Sequence, residues 1–461
     1  MISVYSVSLG CPKNRVDTER LLGALGAPVR PVARMAEADV VLVNTCGFIL
    51  PAVEESVRTV VEAVDEISGL ARRPLLAVAG CLVGRYGERD LAAELPEVDL
   101  WLPNQSIETW PDLLARAVGA RVAMGGGLAG SGTLAPGAVA PGYAGGTRLL
   151  STGPSYAWLK ISDGCRHNCS FCTIPSIRGA HRSTPAAELE REARQLLDMG
   201  VRELILVAQD VTAWGGDLEN GPGGSAGKGD LRPLLDRLLP LPGLDRLRLM
   251  YLYPAGLNDD LLAYLAAAGA PFVPYFDVPL QHAHPDVLGR MGRPFARNPR
   301  VVVDRIRKHF PDAALRTSII VGFPGETEEH YAALTDFVAE TRFHHLGVFA
   351  YRAEEGTPAA AMPGQVDDKV KEWRRDALME VQAEISEEIM ESCVGQRLPV
   401  LVDAPHDEWP GLHTGRTWFQ APEIDGVTYV SGAGVIPGAL VEADIVEART
   451  YDLVALAEPE E

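Results

Sequence analysis

A chain of 461 residues, 47% hydrophobic and 23% charged, has material for roughly two to four domains with ordinary soluble cores. Its 62 acidic against 42 basic residues leave a net charge of −20, which disfavours direct RNA binding by phosphate neutralisation and suits a basic protein partner. The chain has no apolar run of about 18 residues, and its first residues lack the basic and apolar regions of a leader. Neither a membrane span nor a signal peptide is therefore expected, and the expected location is cytoplasmic.

In chain order, residues 4–9, 40–44, 75–79 and 98–102 read as apolar strands, with helix-like stretches over 17–25, 52–67 and 86–95. The alternation predicts an open parallel α/β sheet over 1–120. Cys11, Cys46 and Cys81, each 35 residues from the next, lie just past three of these strands. A parallel sheet puts its strand C-termini at one edge, where open α/β folds bind ligands, so the three cysteines are expected to converge. Any one alone reads as a small buried hydrophobe. Three at equivalent strand ends, each beside turn residues, do not.

Residues 125–153 contain ten glycines and almost no charge, the composition of a flexible linker, which sets a boundary over 121–153. Six further strands are expected at 156–162, 203–207, 246–251, 273–278, 315–321 and 346–350, with amphipathic helices such as 186–199, 298–310 and 326–340 between them. Such a βα series over 154–391 predicts a partial (β/α)6 barrel with its active site at the strand C-termini. Gly215–Gly229 reads as a glycine-rich surface insertion, and 367–392 as one long charged helix. The remainder, 392–461, reads as short strands with turns and predicts a small β-barrel. Its twelve acidic and three basic residues give it a charge of −9.

Six of the seven cysteines form two triplets, because Cys165, Cys169 and Cys172 lie together as Cys-x-x-x-Cys-x-x-Cys after the first barrel strand. In a reducing compartment such clustering points to metal or catalysis. Three thiolates can hold three irons of a 4Fe–4S cube and leave the fourth open for chemistry, so two triplets point to two 4Fe–4S clusters. Zinc is the competing reading. It needs a fourth ligand, for which only His167, inside the loop, is at hand. His282-x-His284 lacks an evident third ligand as a metal pair, although Gln281 and His282 follow a strand and are expected to face the cavity. Gly227-Lys228-Gly229 is no phosphate loop, since neither Ser nor Thr follows the lysine. Cys393 reads as an inert packing residue.

The segment Gly164-Cys165-Arg166-His167-Asn168-Cys169-Ser170-Phe171-Cys172 resembles the cluster loop of radical S-adenosylmethionine enzymes. That resemblance implies that the open iron binds S-adenosylmethionine, whose reductive cleavage gives a 5′-deoxyadenosyl radical. It also implies contacts to this cofactor from Phe171, on the adenine, and from Gln209 and Asp210, at the methionine amino end. Gly322 could let the adenosine approach the backbone closely, although 322–325 also reads as a plain turn. Leu9-Gly10-Cys11-Pro12-Lys13-Asn14-Arg15, Asn44-Thr45-Cys46-Gly47-Phe48 and Ala79-Gly80-Cys81-Leu82 resemble the methylthiotransferases, whose N-terminal α/β domain, radical barrel and TRAM-type β-barrel cover nearly the whole chain. By that resemblance Cys11, Cys46 and Cys81 hold the second cluster and present the sulfur to be inserted.

The segments Asp163-Gly164-Cys165-Arg166-His167-Asn168-Cys169, Ile174-Pro175-Ser176-Ile177-Arg178-Gly179 and Ala421-Pro422-Glu423-Ile424-Asp425-Gly426 resemble the branch that acts on the β-carbon of an aspartate in small-subunit ribosomal protein twelve, rather than on an adenosine of transfer RNA. The resemblance also implies an external electron donor and a sulfur donor, and no acid–base pair is assigned. Two rivals remain at this point, a transfer-RNA methylthiotransferase and a non-enzymatic iron–sulfur carrier.

Overall fold

A computed structural model describes residues 2–25, 29–123, 148–218, 228–293 and 298–458. The chain divides into two compact units. One is Met1–Ser151 with Asp163–His167 and Cys172–Arg182, and the other is Thr152–Ser162, Asn168–Phe171 and Ser183–Glu461.

The first unit alternates strand and helix. In order it runs β1 (Ile2–Ser8), α1 (Pro12–Ala24), β2 (Val29–Pro31), β3 (Val40–Thr45), α2 (Leu50–Ser68), β4 (Leu75–Gly80), α3 (Cys81–Tyr86), α4 (Glu88–Glu94), β5 (Leu100–Pro103) and α5 (Trp110–Ala123). The strands form a parallel sheet in the order β2-β1-β3-β4-β5. Both faces are covered, so the strands read as continuous apolar runs. Leu42 and Ala77 meet Leu21, Trp110 and Leu114 on one face, while Val41, Val43 and Val78 meet Val60, Ala63 and Ile67 on the other. The loop-derived helix α6 (Ile174–Arg178) also belongs to this unit.

Three expectations needed correction here. Helix α1 begins at Pro12 and not at residue 17, because its first turns bury Lys13, Asn14 and Asp17, which no apolar periodicity reveals. The helix expected over 86–95 is two, α3 and α4, separated by Gly87 at φ +82°. The expected linker is shorter at both ends: α5 runs to Ala123, and Arg148 is buried in an ion pair with Glu19 of α1. Its residues 124–147 lie outside the described residues, as do 219–227 of the glycine-rich insertion.

In the second unit β6 (Tyr156–Lys160) leads to the cysteine loop, which the two-residue strands β7 (Ser162–Asp163) and β8 (Arg182–Ser183) bracket. There follow α7 (Ala186–Asp198), β9 (Glu203–Val207), α8 (Arg232–Leu238), β10 (Arg246–Leu249), α9 (Asp259–Ala268), β11 (Phe272–Asp277), α10 (Pro285–Arg290), α11 (Pro299–His309), β12 (Ala314–Val321), α12 (Glu328–Thr341) and β13 (His345–Ala350). The six long strands pair in parallel in sequence order, β13-β12-β11-β10-β9-β6, as the βα series predicts. Helix α13 (Asp368–Glu391) packs along β13 and α12.

Strands β14 (Arg397–Pro405), β15 (His413–Arg416), β16 (Thr428–Gly432), β17 (Leu440–Ala448) and β18 (Leu453–Ala457) close into a five-stranded barrel. It is seated on residues at and near the N-terminal ends of the parallel strands. Glu203, the first residue of β9, takes Arg248 at 2.7 Å and Arg416 of the barrel at 2.6 Å. Arg246 donates to the carbonyls of Pro399 (2.8 Å) and Arg416 (3.0 Å), and Tyr275 donates to Asp425 at 2.7 Å. In a parallel α/β fold that end serves stability, which leaves the opposite, C-terminal end for chemistry. No described helix is long and apolar enough to cross a membrane.

Candidate functional site

Strand order β2-β1-β3-β4-β5 reverses direction between β1 and β3, and ligands of such sheets bind outside that switch point. Cys11 lies just past the end of β1, after Leu9 and Gly10, and Cys46 directly follows β3. Cys81 opens α3 directly after β4. The expected convergence is therefore realised, and two backbone contacts enforce it. Gly10 lies at φ +81°, and a Cβ there would stand 2.7 Å from Cys46 Cβ; one on Gly47 would stand 2.7 Å from the Cys81 carbonyl oxygen. Only glycine permits both approaches.

Asn14 ties the strand ends together. Its amide donates to the carbonyls of Leu9 (2.9 Å) and Thr45 (3.0 Å), while Asn44 donates to the Asn14 carbonyl at 2.8 Å. Cys81 Sγ accepts from Asn104 Nδ2 at 3.4 Å. Ser56 Oγ accepts from the Cys46 N–H at 3.0 Å and donates to its carbonyl at 2.8 Å.

Against this edge lies Arg178, the last residue of α6, itself buried. Its guanidinium donates to Asn14 Oδ1 at 2.5 Å and to Asp163 at 2.9 Å, and stands 3.4 Å from Asp17. Although burial favours the neutral form, Asp163, Cys81, Asp17 and Cys11 hold its pKa above the ordinary value. Burial pushes the Cys46 thiol up to about 12, against a backbone N–H of Phe48, and the neighbouring Cys81 and Cys11 add to the rise. Burial likewise raises Cys81, against Arg178. Cys11 goes the other way: burial would raise it, but Lys13, Arg178 and the N–H groups at the start of α1 bring it below the ordinary value.

Three thiols that oppose one another's ionisation call for a cation, whose binding drives off their protons. Among the described residues they are not all within 4.8 Å of one another, whereas ligands of one tetrahedral zinc stand about 3.8 Å apart given Zn–S bonds of about 2.3 Å. A group wider than one ion, such as an iron–sulfur cube, fits the arrangement better.

The compact loop is held on two sides, each within its own unit. In the first, the Cys165 N–H donates to the Gly179 carbonyl at 3.2 Å, and Thr173 Oγ1 donates to the Phe48 carbonyl at 3.0 Å. In the second, the Ser170 N–H donates to Met291 O at 3.0 Å and its Oγ to Arg290 O at 2.8 Å. Arg293 Nη1 stands 3.7 Å from Cys169 Sγ. Of the expected cofactor contacts, Phe171 sits edge-on to Phe323 with ring centres 6.4 Å apart. Gln209 and Asp210 follow β9 at its C-terminal end, Asp210 accepting from Thr212 Oγ1 at 2.6 Å. Gly322 has φ +70°, and a Cβ there would overlap Lys371 of α13, so the fold itself calls for this glycine.

His282 and His284 separate. His282 is fully buried, its Nε2 3.4 Å from Glu326, which also takes Arg374 at 2.8 Å; burial lowers the imidazole pKa although Glu326 opposes this. His284 instead lies against His330, ring centres 4.2 Å apart and planes tilted by 35°, and with Asp286 these two bring their ligand atoms within 4.8 Å of one another, a third ligand that sequence spacing hid. Both Nδ1 atoms, however, accept backbone N–H groups, from Asp286 (3.3 Å) and Thr327 (3.2 Å). Each neutral ring thus carries its proton on Nε2 and serves as a helix cap. Cys393 is buried and donates to Ile389 O at 3.5 Å, in keeping with a packing role. Arg293 and the His282–Glu326–Arg374 network escaped the sequence reading, and Asn14 and Arg178 stood in quoted motifs without a role.

Residues 159–338 match the radical SAM superfamily, 3–103 the uncharacterized protein family UPF0004 and 394–457 the TRAM domain. A protein of Nitratidesulfovibrio vulgaris named ribosomal protein uS12 methylthiotransferase RimO is 74% identical over 457 residues, covering 99% of this chain and 100% of that relative. Proteins of the same name from Oleidesulfovibrio alaskensis (70% identical; 99% of this chain, 100% of the relative) and Lawsonia intracellularis (56%; 98% and 97%) also match. Among solved structures, the radical S-adenosylmethionine methyltransferase TsrM from Kitasatospora setae, with cobalamin and a [4Fe-4S] cluster bound, aligns at TM-score 0.54. It is 16% identical, covering 89% of this chain and 80% of that one, a likeness of fold alone.

Proposed function

The chain belongs to the ribosomal protein uS12 methylthiotransferase (RimO) family, and on that premise we propose that it places a methylthio group on the β-carbon of an aspartate in ribosomal protein uS12. The observation that carries the reading is the convergence of Cys11, Cys46 and Cys81 at the β1/β3 switch point, in a chain that also holds the compact Cys165/Cys169/Cys172 loop. Each triplet would hold a 4Fe–4S cluster. When bound, these clusters and S-adenosylmethionine would supply the electron, the carbon-centred radical, the methyl group and the sulfur that the reaction consumes.

The protein's own part is placement. Gly10 and Gly47 let the three strand-end loops close on one another, Asn14 fixes the ends of β1 and β3, and Asn104 orients Cys81 by a hydrogen bond to its sulfur. Arg178 supplies positive charge to Cys81 and Cys11, which stabilises their thiolates. Phe171, Gln209, Asp210 and Gly322 are assigned to S-adenosylmethionine, the last three at or just past strand C-terminal ends. The domains are assigned as an N-terminal α/β domain that runs through Ala123, a barrel with its trailing helix over 154–391 and a terminal β-barrel over 392–461, in a cytoplasmic enzyme served by external electron and sulfur donors. The barrel, at −9, suits a basic protein substrate and repels RNA phosphates.

The test offers purified uS12 and unmodified transfer RNA separately to the anaerobically reconstituted enzyme with reductant, sulfide and S-adenosylmethionine. Mass spectrometry should find the methylthio increment on one uS12 aspartate and none on the RNA. Modified transfer RNA with unmodified uS12 overturns the substrate assignment. Failure to release 5′-deoxyadenosine overturns the radical assignment.

A further inference from the structure

Arg293 is 4% exposed and follows α10 in the turn that grips the compact cysteine loop. Gly292, at φ +72°, brings that turn close enough that a Cβ would stand 2.8 Å from Asn168 O, and the Met291 carbonyl takes the Ser170 N–H at 3.0 Å. The backbone thereby carries the Arg293 guanidinium to Cys169, with Nη1 3.7 Å from the sulfur. Nη2 donates to Pro279 O at 2.7 Å, and the guanidinium lies over Tyr253, 4.7 Å from the ring centre. Tyr253 and Pro279 follow β10 and β11, so the cation is fixed at the C-terminal ends of those strands.

Other buried arginines in this unit stand by carboxylates: Arg248 and Arg416 meet Glu203, Arg374 meets Glu326, and Arg246, although it donates to carbonyls, feels the charges of Glu203 and Asp403. Among the described residues, the partners of Arg293 are a carbonyl, an aromatic ring and a thiol, and its buried Nε has none. A desolvated cation requires a nearby negative charge. The group that Nη1 reaches is the Cys169 sulfur, which a bound iron would hold as a thiolate.

We infer that Arg293 is the counter-ion and hydrogen-bond donor of the Cys169 thiolate and sets the reduction potential of the iron–sulfur group held there. The inference rests on Cys169 being a cluster ligand. An N–H donated to a ligating sulfur, with a fixed positive charge beside it, stabilises the reduced and more negative state and raises the potential. Arg293 is thus a positioning and tuning residue.

The test uses the full chain with Cys11, Cys46 and Cys81 replaced by alanine, so that only the compact triplet is loaded. Iron content and the paramagnetic signal of the reduced cluster are followed in a potentiometric titration without S-adenosylmethionine. Arg293→Gln should keep about four irons but lower the reduced-to-oxidised ratio at fixed potential about tenfold, a negative shift of about 59 mV for one electron. Arg293→Lys, which keeps the charge without the planar donors, should fall between and decides the matter where the glutamine variant fails to assemble a cluster. An unchanged potential overturns the inference. So does a shift seen only after S-adenosylmethionine is added, which would assign Arg293 to that ligand's carboxylate. Iron retained on Cys169→Ala overturns instead the ligand assignment on which the inference rests.

Discussion

The guanidinium of Arg178 donates to Oδ1 of Asn14 at 2.5 Å, joining residues 164 positions apart. Asn14 spans the two strand ends that precede Cys11 and Cys46, and Arg178 closes the segment that opens with Asp163 and Cys165. One hydrogen bond therefore links the architecture of the dispersed triplet to the stem of the compact loop, inside a single structural unit.

Removing the cation exposes the cost of that arrangement. In Arg178→Met the buried Asp17 and the nearly buried Asp163 lose the guanidinium they share, and breaking a buried ion pair this way costs about 3–5 kcal/mol. Denaturant midpoints of the iron-free protein should fall accordingly. Arg178→Lys should restore only part, because a point charge cannot reproduce the planar fork. A midpoint unchanged in Arg178→Met would show that the cluster carries no such stress.

Asn14→Ala leaves the Leu9 and Thr45 carbonyls without their donor, at about 1–3 kcal/mol for each buried group left unsatisfied. The strand ends should loosen, and reconstitution should fall from about eight irons to about four, with the compact triplet still loaded. Full iron content in this variant would mean that Asn14 does not organise the dispersed triplet.

Glu203 ties the terminal barrel to the parallel sheet, and its charge state is readable in stability. Burial alone would raise its pKa, but Arg248, Arg416 and Arg246 bring it from 4.5 to about 2. A depressed carboxylate contributes stability above its unfolded pKa and loses it as pH falls toward the folded one. Roughly 3 kcal/mol should therefore disappear between about pH 4.5 and pH 2. Denaturation curves across that window should flatten in Glu203→Gln, which is also less stable at neutral pH because Arg248 loses its carboxylate and Arg416 keeps only Asp403. An identical pH slope in the variant would refute the assignment.

Gly322→Ala meets Lys371 of α13 at a positive φ, at about 1–3 kcal/mol for a strained backbone position. In a Lys371→Ala background the penalty should shrink, since the overlapping methylenes are gone. Equal penalties in the two backgrounds would place the strain in the backbone alone.

Except for the short, largely exposed edge strand β2, the strands of both parallel sheets were legible because their burial turns each into an apolar run, as in Val40–Thr45 and Glu203–Val207. The convergence of Cys11, Cys46 and Cys81 followed from topology alone, since parallel strands end at one edge. Polar burial was not legible. Lys13, Asn14, Asp17 and Glu19 look like a solvent-facing helix start, yet all four are buried, the last three against partners distant in the chain. The charges of Arg246, Arg248 and Arg316, set in or beside apolar strands, did hold a signal, which became readable only once the barrel was seen covering those strand ends. His330 joins His284 across 46 positions, and no spacing rule reaches that far.

The central claim is that the two triplets do different work, one generating the radical and the other delivering sulfur. Cys46→Ala separates them, measured by iron content, 5′-deoxyadenosine release and the mass of uS12 in a single anaerobic incubation. The variant should hold about four irons against about eight in the parent, still release 5′-deoxyadenosine, and leave uS12 without a methylthio group. Unchanged iron content, or methylthiolated uS12 from the variant, would contradict the account.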